Sequence, residues 1–188
     1  MICLLYAITH KKISSRKNLL EEGTMNQYLA KSAQSVQEAL NKAGLACKVV
    51  EFSSSTRTAN DAALSIGCSV AQIAKSLIFK TKHTSKPILV LASGPNKVSE
   101  KQLEFYIGES IVKADADFVR EITGFAIGGI PPFGHKNSID LIFIDQDLVA
   151  LDEVWAAAGT PNSVFCITSK DLVNITKGKV ISIVNPVV

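Results

Sequence analysis

The sequence is short of the residues that mark unusual classes of protein. Its 11 glycines and 6 prolines among 188 residues are scattered and unperiodic, which excludes collagen-like and low-complexity chains. Its 4 cysteines, Cys3, Cys47, Cys68 and Cys166, form no CxxC, and its 3 histidines are equally dispersed, so no zinc spacing is present and no metal site is expected. No stretch approaches the ~20 apolar residues of a bilayer span. The first apolar run, Ile2 to Thr9, lacks a preceding basic segment and is followed by Lys11, Lys12, Arg16 and Lys17, the reverse of an export signal. Isolated thiols without such a signal lead us to expect a soluble, cytoplasmic protein with reduced cysteines. The patterns GxxxxGK[ST], GxGxxG, HExxH and GxSxG are also missing, leaving nucleotide hydrolysis, dinucleotide redox, zinc peptidase and ordinary serine hydrolase chemistry without support.

What is present describes a globular chain. Hydrophobic residues make up 47% and charged residues 20%, and 20 Lys+Arg against 17 Asp+Glu give a net charge of +3. That balance permits a nucleic-acid partner without requiring one. The length fits one domain with one sizeable core.

Residues 1–24 differ from the rest and read as an amino-terminal extension, a displaced start or a loosely attached arm. The main domain is expected over 25–188. From Met25 to Ala43, Tyr28, Leu29, Ala33, Val36, Ala39 and Leu40 recur at helical spacing, with Gly44 as the stop. Cys47 to Phe52 reads as a strand. Thr58 should cap a second helix, with Asp61 three residues on. Strand-like runs follow at Lys75 to Lys80 and Pro87 to Ala92. Ser99 and Gln102 form a capping box for a helix ending at Gly108. A short strand is expected at Ile111 to Lys113, a helix from Asp115 to Ile122, and a Gly/Pro-rich loop from Gly124 to His135. After strand Ile139 to Ile144 the pattern suggests a helix over Leu151 to Ala158, a strand Ser163 to Ile167, a helical turn Ser169 to Ile175, and a last strand Val180 to Val184. Several strands follow one another without a helix between them, which favours an α+β domain built on a mixed sheet.

Two segments could carry chemistry. Lys75 sits where a turn enters an apolar strand, so its ammonium would be partly withdrawn from water and able to orient an anionic or carbonyl oxygen. The plainer alternative is that its stem runs along the sheet and its head reaches solvent. The second segment is Gly128-Gly129-Ile130-Pro131-Pro132-Phe133-Gly134-His135. Its glycines let backbone approach a ligand, its prolines stiffen the loop, and His135 could exchange a proton near neutral pH. The same segment could equally be a tight connection into the next strand. Trp155, Phe79, Phe143 and Phe165 read as core. Lys80, Lys82, Lys86, Lys97 and Lys101 could form a positive rim for phosphates or simply solvated loops. Asp145 and Asp147 read as turn starters rather than paired acids.

Thr56-Arg57-Thr58-Ala59 with Ala62, Ala63 and Gly67, then Gln72-Ile73-x-Lys75-Ser76-Leu77, then Gly128-Gly129-x-x-Pro132-x-Gly134-His135, together resemble the YbaK-like family, free-standing relatives of the editing domain of bacterial prolyl-tRNA synthetases. The resemblance spans about residues 30–185. It implies an α+β fold with a mixed, mostly antiparallel, barrel-like sheet and helices packed around it. It also implies a trans-editing deacylase that hydrolyses the ester of a mischarged aminoacyl-tRNA, with tRNA-Pro or a related tRNA as the expected carrier of a small wrong amino acid. Prolyl-tRNA synthetase is a further candidate partner, and neither a metal nor an organic cofactor is implied. Lys75 is then the residue tied to activity, positioning the ester rather than attacking it. Thr58, Ser76, Gly128, Gly129, Pro132, Gly134, His135 and Asn162 are the expected substrate-binding positions. Relatives that remove cysteine carry a tyrosine where Phe52 stands and an acid near the loop Gly159 to Ser163, and both are lacking here. Alanine, serine, threonine and other small residues all stay open as the amino acid removed. Two other functions compete: a non-catalytic module that binds tRNA or a synthetase, and hydrolysis of another small activated ester.

Overall fold

The computed structural model describes residues 29–53 and 58–184. The expected arm 1–24 and residues Met25 to Tyr28 of the expected first helix lie outside them. Helix α1 (Lys31–Lys42) buries Ala33, Val36 and Leu40, one stripe at helical spacing. Strand β1 (Val49–Glu51) follows. Helix α2 (Ala59–Ile66) opens on the capping box at Thr58: the Asp61 N–H donates to Thr58 Oγ1 at 3.1 Å, and the Thr58 N–H donates to Asp61 Oδ2 at 3.3 Å. A 3₁₀ turn at Val70–Gln72 then leads into β2 (Ile73–Thr81), which turns back as β3 (Pro87–Ser93).

Next come α3 (Glu100–Ile107), β4 (Ile111–Lys113), α4 (Ala116–Thr123), β5 (Leu141–Asp145), α5 (Gln146–Val149), β6 (Glu153–Ala157), β7 (Ser163–Thr168), α6 (Ser169–Thr176) and β8 (Lys179–Ile181). The Ser99 side chain accepts from the Gln102 N–H, but the Ser99 N–H donates to Ile183 O at 2.7 Å, so only half of the expected capping box forms; Gly108 closes α3 in the left-handed conformation, as the sequence pattern predicts.

All eight strands form one mixed sheet in the order β1-β7-β6-β2-β3-β5-β8, with β4 also paired to β2. Pairs β1–β7, β6–β7, β2–β3 and β2–β4 are antiparallel, whereas β2–β6, β3–β5 and β5–β8 are parallel. Strand β3 is the spine. Ile88, Leu89, Val90, Leu91 and Ala92 are all at 0% exposure, so both faces of this strand are covered, and its unbroken apolar run reflects that.

One expected element is wrong. Residues Leu151 to Ala158 do not form a helix; β6 occupies Glu153–Ala157. Its alanines favour a helix locally, but Val154 and Ala156 are buried on one face while β7 and β2 pair along its two sides. Sheet pairing and burial outweigh a propensity difference of about 1 kcal/mol.

Candidate active site

The register of β2 creates an opening. Facing residues Phe79↔Ile88, Leu77↔Val90 and Lys75↔Ala92 continue the ladder that begins with the Thr81 N–H donating to Lys86 O at 3.0 Å. In an antiparallel pair, facing positions exchange hydrogen bonds alternately. The odd-numbered residues of β2 therefore bond to β3, and Ala74, Ser76 and Ile78 turn their main-chain groups the other way. On that side β6 covers residues Ile73 and Ala74, β4 covers Phe79 to Thr81, and the Ala114 N–H reaches Ile78 O. Nothing among the described strands covers Ser76, so its N–H and C=O face a gap in the sheet.

A cavity of about 330 Å³ fills that gap. Its walls are Thr58, Ala59 and Ala62 at the start of α2, Ile73 to Leu77 of β2, Trp155 to Ala157 of β6, and Thr160, Pro161, Ser163 and Val164 around the β6–β7 turn. Ile127, Gly128 and Ile130 close it from the glycine loop. Apolar side chains dominate, and among the described residues that line the cavity Lys75 carries the only charge. The Ser76 hydroxyl is buried with no hydrogen-bond partner among the described residues, an unsatisfied group of a kind proteins rarely keep without a use.

The Lys75 ammonium is fixed. Its Nζ donates to Gly94 O at 2.8 Å and to Asn96 O at 2.7 Å, leaving one of its three hydrogens uncommitted. Burial pulls its pKa below the ordinary lysine value, and the Asp145 carboxylate opposes that shift.

The structure thus brings Thr58, Lys75, Ser76 and Gly128 to one cavity. The Thr58 hydroxyl is engaged in its own cap, donating to Asp61 Oδ2 at 2.7 Å. Gly129 lies just behind the wall and is buried. The Gly159 N–H donates to Gly129 O at 2.8 Å, and a Cβ on Gly129 would stand 2.8 Å from the main chain of Gly159 and Thr160, so the two loops meet where only glycine fits.

Pro132, Gly134, His135 and Asn162 are not among the lining residues. Gly134 packs toward Ala39 of α1, while the Asn162 Nδ2 donates to Phe52 O at 2.8 Å and its carbonyl accepts from the Phe52 N–H. Trp155, Thr160 and Ser163 are cavity residues that sequence reasoning assigned elsewhere or passed over. Their hint was chain position alone, at a strand edge and a Gly-Thr-Pro turn. Lys80, expected in a basic rim, pairs with Asp115 at 3.0 Å and lies 4.9 Å from the centre of the Phe118 ring.

His135 Nε2 lies 2.8 Å from Pro131 O. A carbonyl only accepts, so this nitrogen carries the proton, and the imidazole ties the loop to itself. Burial lowers its pKa below the ordinary 6.5. The unfolded chain therefore binds more protons between the folded value and 6.5. This group's contribution to stability is full above that window and is lost as pH falls through it. His135→Gln can still donate but cannot titrate. In urea unfolding at about pH 7.5 and about pH 5, the wild type should lose more of its midpoint than the variant; equal losses would remove His135 from the acid response.

Comparisons with known proteins bear on this geometry. The model of the aminoacyl-tRNA editing domain matches residues 53–175, a span that includes every cavity wall. YwhH of Bacillus subtilis (strain 168) is 34% identical over 132 residues, covering 70% of this chain and 83% of that protein. The proline–tRNA ligase of Limosilactobacillus fermentum is 32% identical over 95 residues, covering 48% of this chain and 16% of the ligase. A crystal structure described as that of a candidate trans-editing enzyme for prolyl-tRNA synthetase superposes with a TM-score of 0.79 at 41% identity, covering 84% of this chain and 99% of that one. With the match running through β2, the glycine loop and the β6–β7 turn, this chain belongs to the aminoacyl-tRNA editing domain family.

Proposed function

We propose that this protein deacylates mischarged aminoacyl-tRNA, removing a small, uncharged amino acid, with tRNA-Pro or a related tRNA as its carrier. The observation that carries this reading is that Lys75, its ammonium fixed by two carbonyls, is the only charged residue among the described lining of a mostly apolar cavity, beside the uncovered main chain of Ser76. The described lining includes no His, Cys, Asp or Glu, so no side-chain base or thiol adjoins the scissile bond. Two thiols elsewhere, Cys166 and Cys47, are poor nucleophiles: burial, with Glu153 adding to it, pushes Cys166 up to about 12, and burial also raises Cys47.

An aminoacyl ester is already activated, so positioning and charge stabilisation can supply what remains of the barrier. The ester carbonyl lies toward the free hydrogen of Lys75 and the Ser76 N–H. Both become stronger partners as the carbonyl oxygen gains negative charge in the tetrahedral intermediate. The attacking water then needs only to be held against the carbonyl carbon, where the free ribose hydroxyl of the substrate can hydrogen-bond to it. The leaving 3′ oxygen takes up the proton given by the nucleophile. Ala59, Ala62, Ala156 and Ala157 leave room for a short side chain, and each additional methylene there shifts discrimination by only ~1–3 kcal/mol. An ammonium side chain would meet no counter-charge in the described lining, whose only charged residue is Lys75, and would be rejected more strongly.

A panel of tRNAs mischarged with alanine, serine or threonine, run beside small aminoacyl esters, tests this. Release from one or two of the tRNAs, with slower turnover of free esters, is expected. Cleavage of free esters alone would assign a small-ester hydrolase, and binding without release would assign a non-catalytic module.

A further inference from the structure

Strand β3 ends at Ser93, and the chain turns through Gly94 to Asn96 before α3. This turn supplies both acceptors of the Lys75 ammonium, the carbonyls of Gly94 and Asn96. A carbonyl on an unsupported turn would hold a cation loosely, but this one is tied from behind. The Asn96 side-chain amide donates to Asp145 Oδ2 at 2.8 Å and to Asp147 Oδ2 at 2.7 Å, spending both of its hydrogens on carboxylates. Asp145 is 1% exposed and accepts the Ser93 N–H at 3.0 Å, while its other oxygen accepts the Asp147 N–H at 3.2 Å. Its position is set by the parallel pairing of β5 with β3, where Ile144 faces Leu91. Bonds from a neutral amide to ionised carboxylates are among the stronger kind, so the sheet, the two acids and the turn form one rigid chain ending at Nζ.

We propose that Asn96 and Asp145 are positioning residues, which lock the turn that seats the Lys75 ammonium and thereby aim its remaining hydrogen into the cavity. This rests on the deacylase reading only for its effect on rate. The seat itself can be measured without substrate. Asp145 also places a negative charge near the cation without touching the cavity. The site thus keeps a compensated ammonium while presenting no anion to an ester carbonyl.

Asn96→Ala removes the amide and leaves the main-chain carbonyl. Asn96→Asp keeps the shape but sets a third carboxylate against two others. Reductive methylation with formaldehyde and dimethylamine-borane, read at Lys75 by mass spectrometry, reports the seat. In the wild type Lys75 should react more slowly than exposed Lys101, and in both variants its rate should rise to that of Lys101. Deacylation should then lose about 10²-fold in kcat with KM nearly unchanged, the effect of a misplacement near 1 Å. Unchanged Lys75 methylation in both variants overturns the proposal whatever the activity. Faster methylation with unchanged kcat overturns the claim that the seat matters to rate. A wild type that deacylates no tRNA, yet shows the methylation change, would sink the enzymatic reading while upholding the lock.

Discussion

Lys75→Ala should remain folded and lose deacylation of mischarged tRNA by on the order of 10²–10³-fold, the usual cost of deleting one preorganised donor to an oxyanion. The fold should survive because this ammonium is no net support for it. Burial already disfavours its charged form, and its removal leaves the Gly94 and Asn96 carbonyls without this donor, a cost of about 1 kcal/mol. Circular dichroism and a melting curve would then change little while kcat falls. Lys75→Arg should not rescue the rate, because a planar guanidinium cannot reproduce an ammonium that points two hydrogens at adjacent carbonyls and a third into the cavity. A Lys75→Ala protein that cleaves at the wild-type rate would remove this residue from catalysis.

Among the glycines with a left-handed backbone, Gly159→Ala should produce the largest loss of stability. Gly159 sits at φ +90, and an added Cβ would stand 2.4 Å from Ser32 O and 2.6 Å from Ser32 C at the start of α1. The backbone conformation costs about 1 kcal/mol for alanine. Relieving the clash means pushing α1 away from the β6–β7 turn, or shifting Gly159 off the Gly129 carbonyl, for roughly another 1–3 kcal/mol. A total on the order of 3 kcal/mol is a large part of a domain's usual 5–15 kcal/mol. Gly108→Ala is the control, since Gly108 has φ +76 but nothing within 4 Å of its Cβ. Urea unfolding should show Gly159→Ala well below Gly108→Ala, and equal midpoints would mean that α1 yields at no cost.

Local signals in the sequence were reliable where the chemistry is local. Thr58 with Asp61 and Ser99 with Gln102 are short-range hydrogen-bonding pairs, and helices begin at both. The segment Leu151 to Ala158 failed because β6 is specified by partners at Ile73, Ala74 and residues 164–168, not by its own alanines. The site divides the same way. Lys75 and Gly128 stand out as a charge at the head of an apolar strand and a paired glycine. Trp155, Thr160 and Ser163 reach the cavity only through sheet register, which no spacing discloses. Asn96 and Asp145 are 49 residues apart, and nothing near either one announces the other.

The most direct measurement is the bound structure with a non-hydrolysable mimic, an adenosine carrying alanine through a 3′ amide in place of the ester. The alanyl methyl is predicted among Ala59, Ala62 and Ala156, with the amide carbonyl within hydrogen-bond distance of Lys75 Nζ and the Ser76 N–H. A mimic seated elsewhere on the protein, or one in this cavity with its carbonyl turned away from Lys75, would contradict the account.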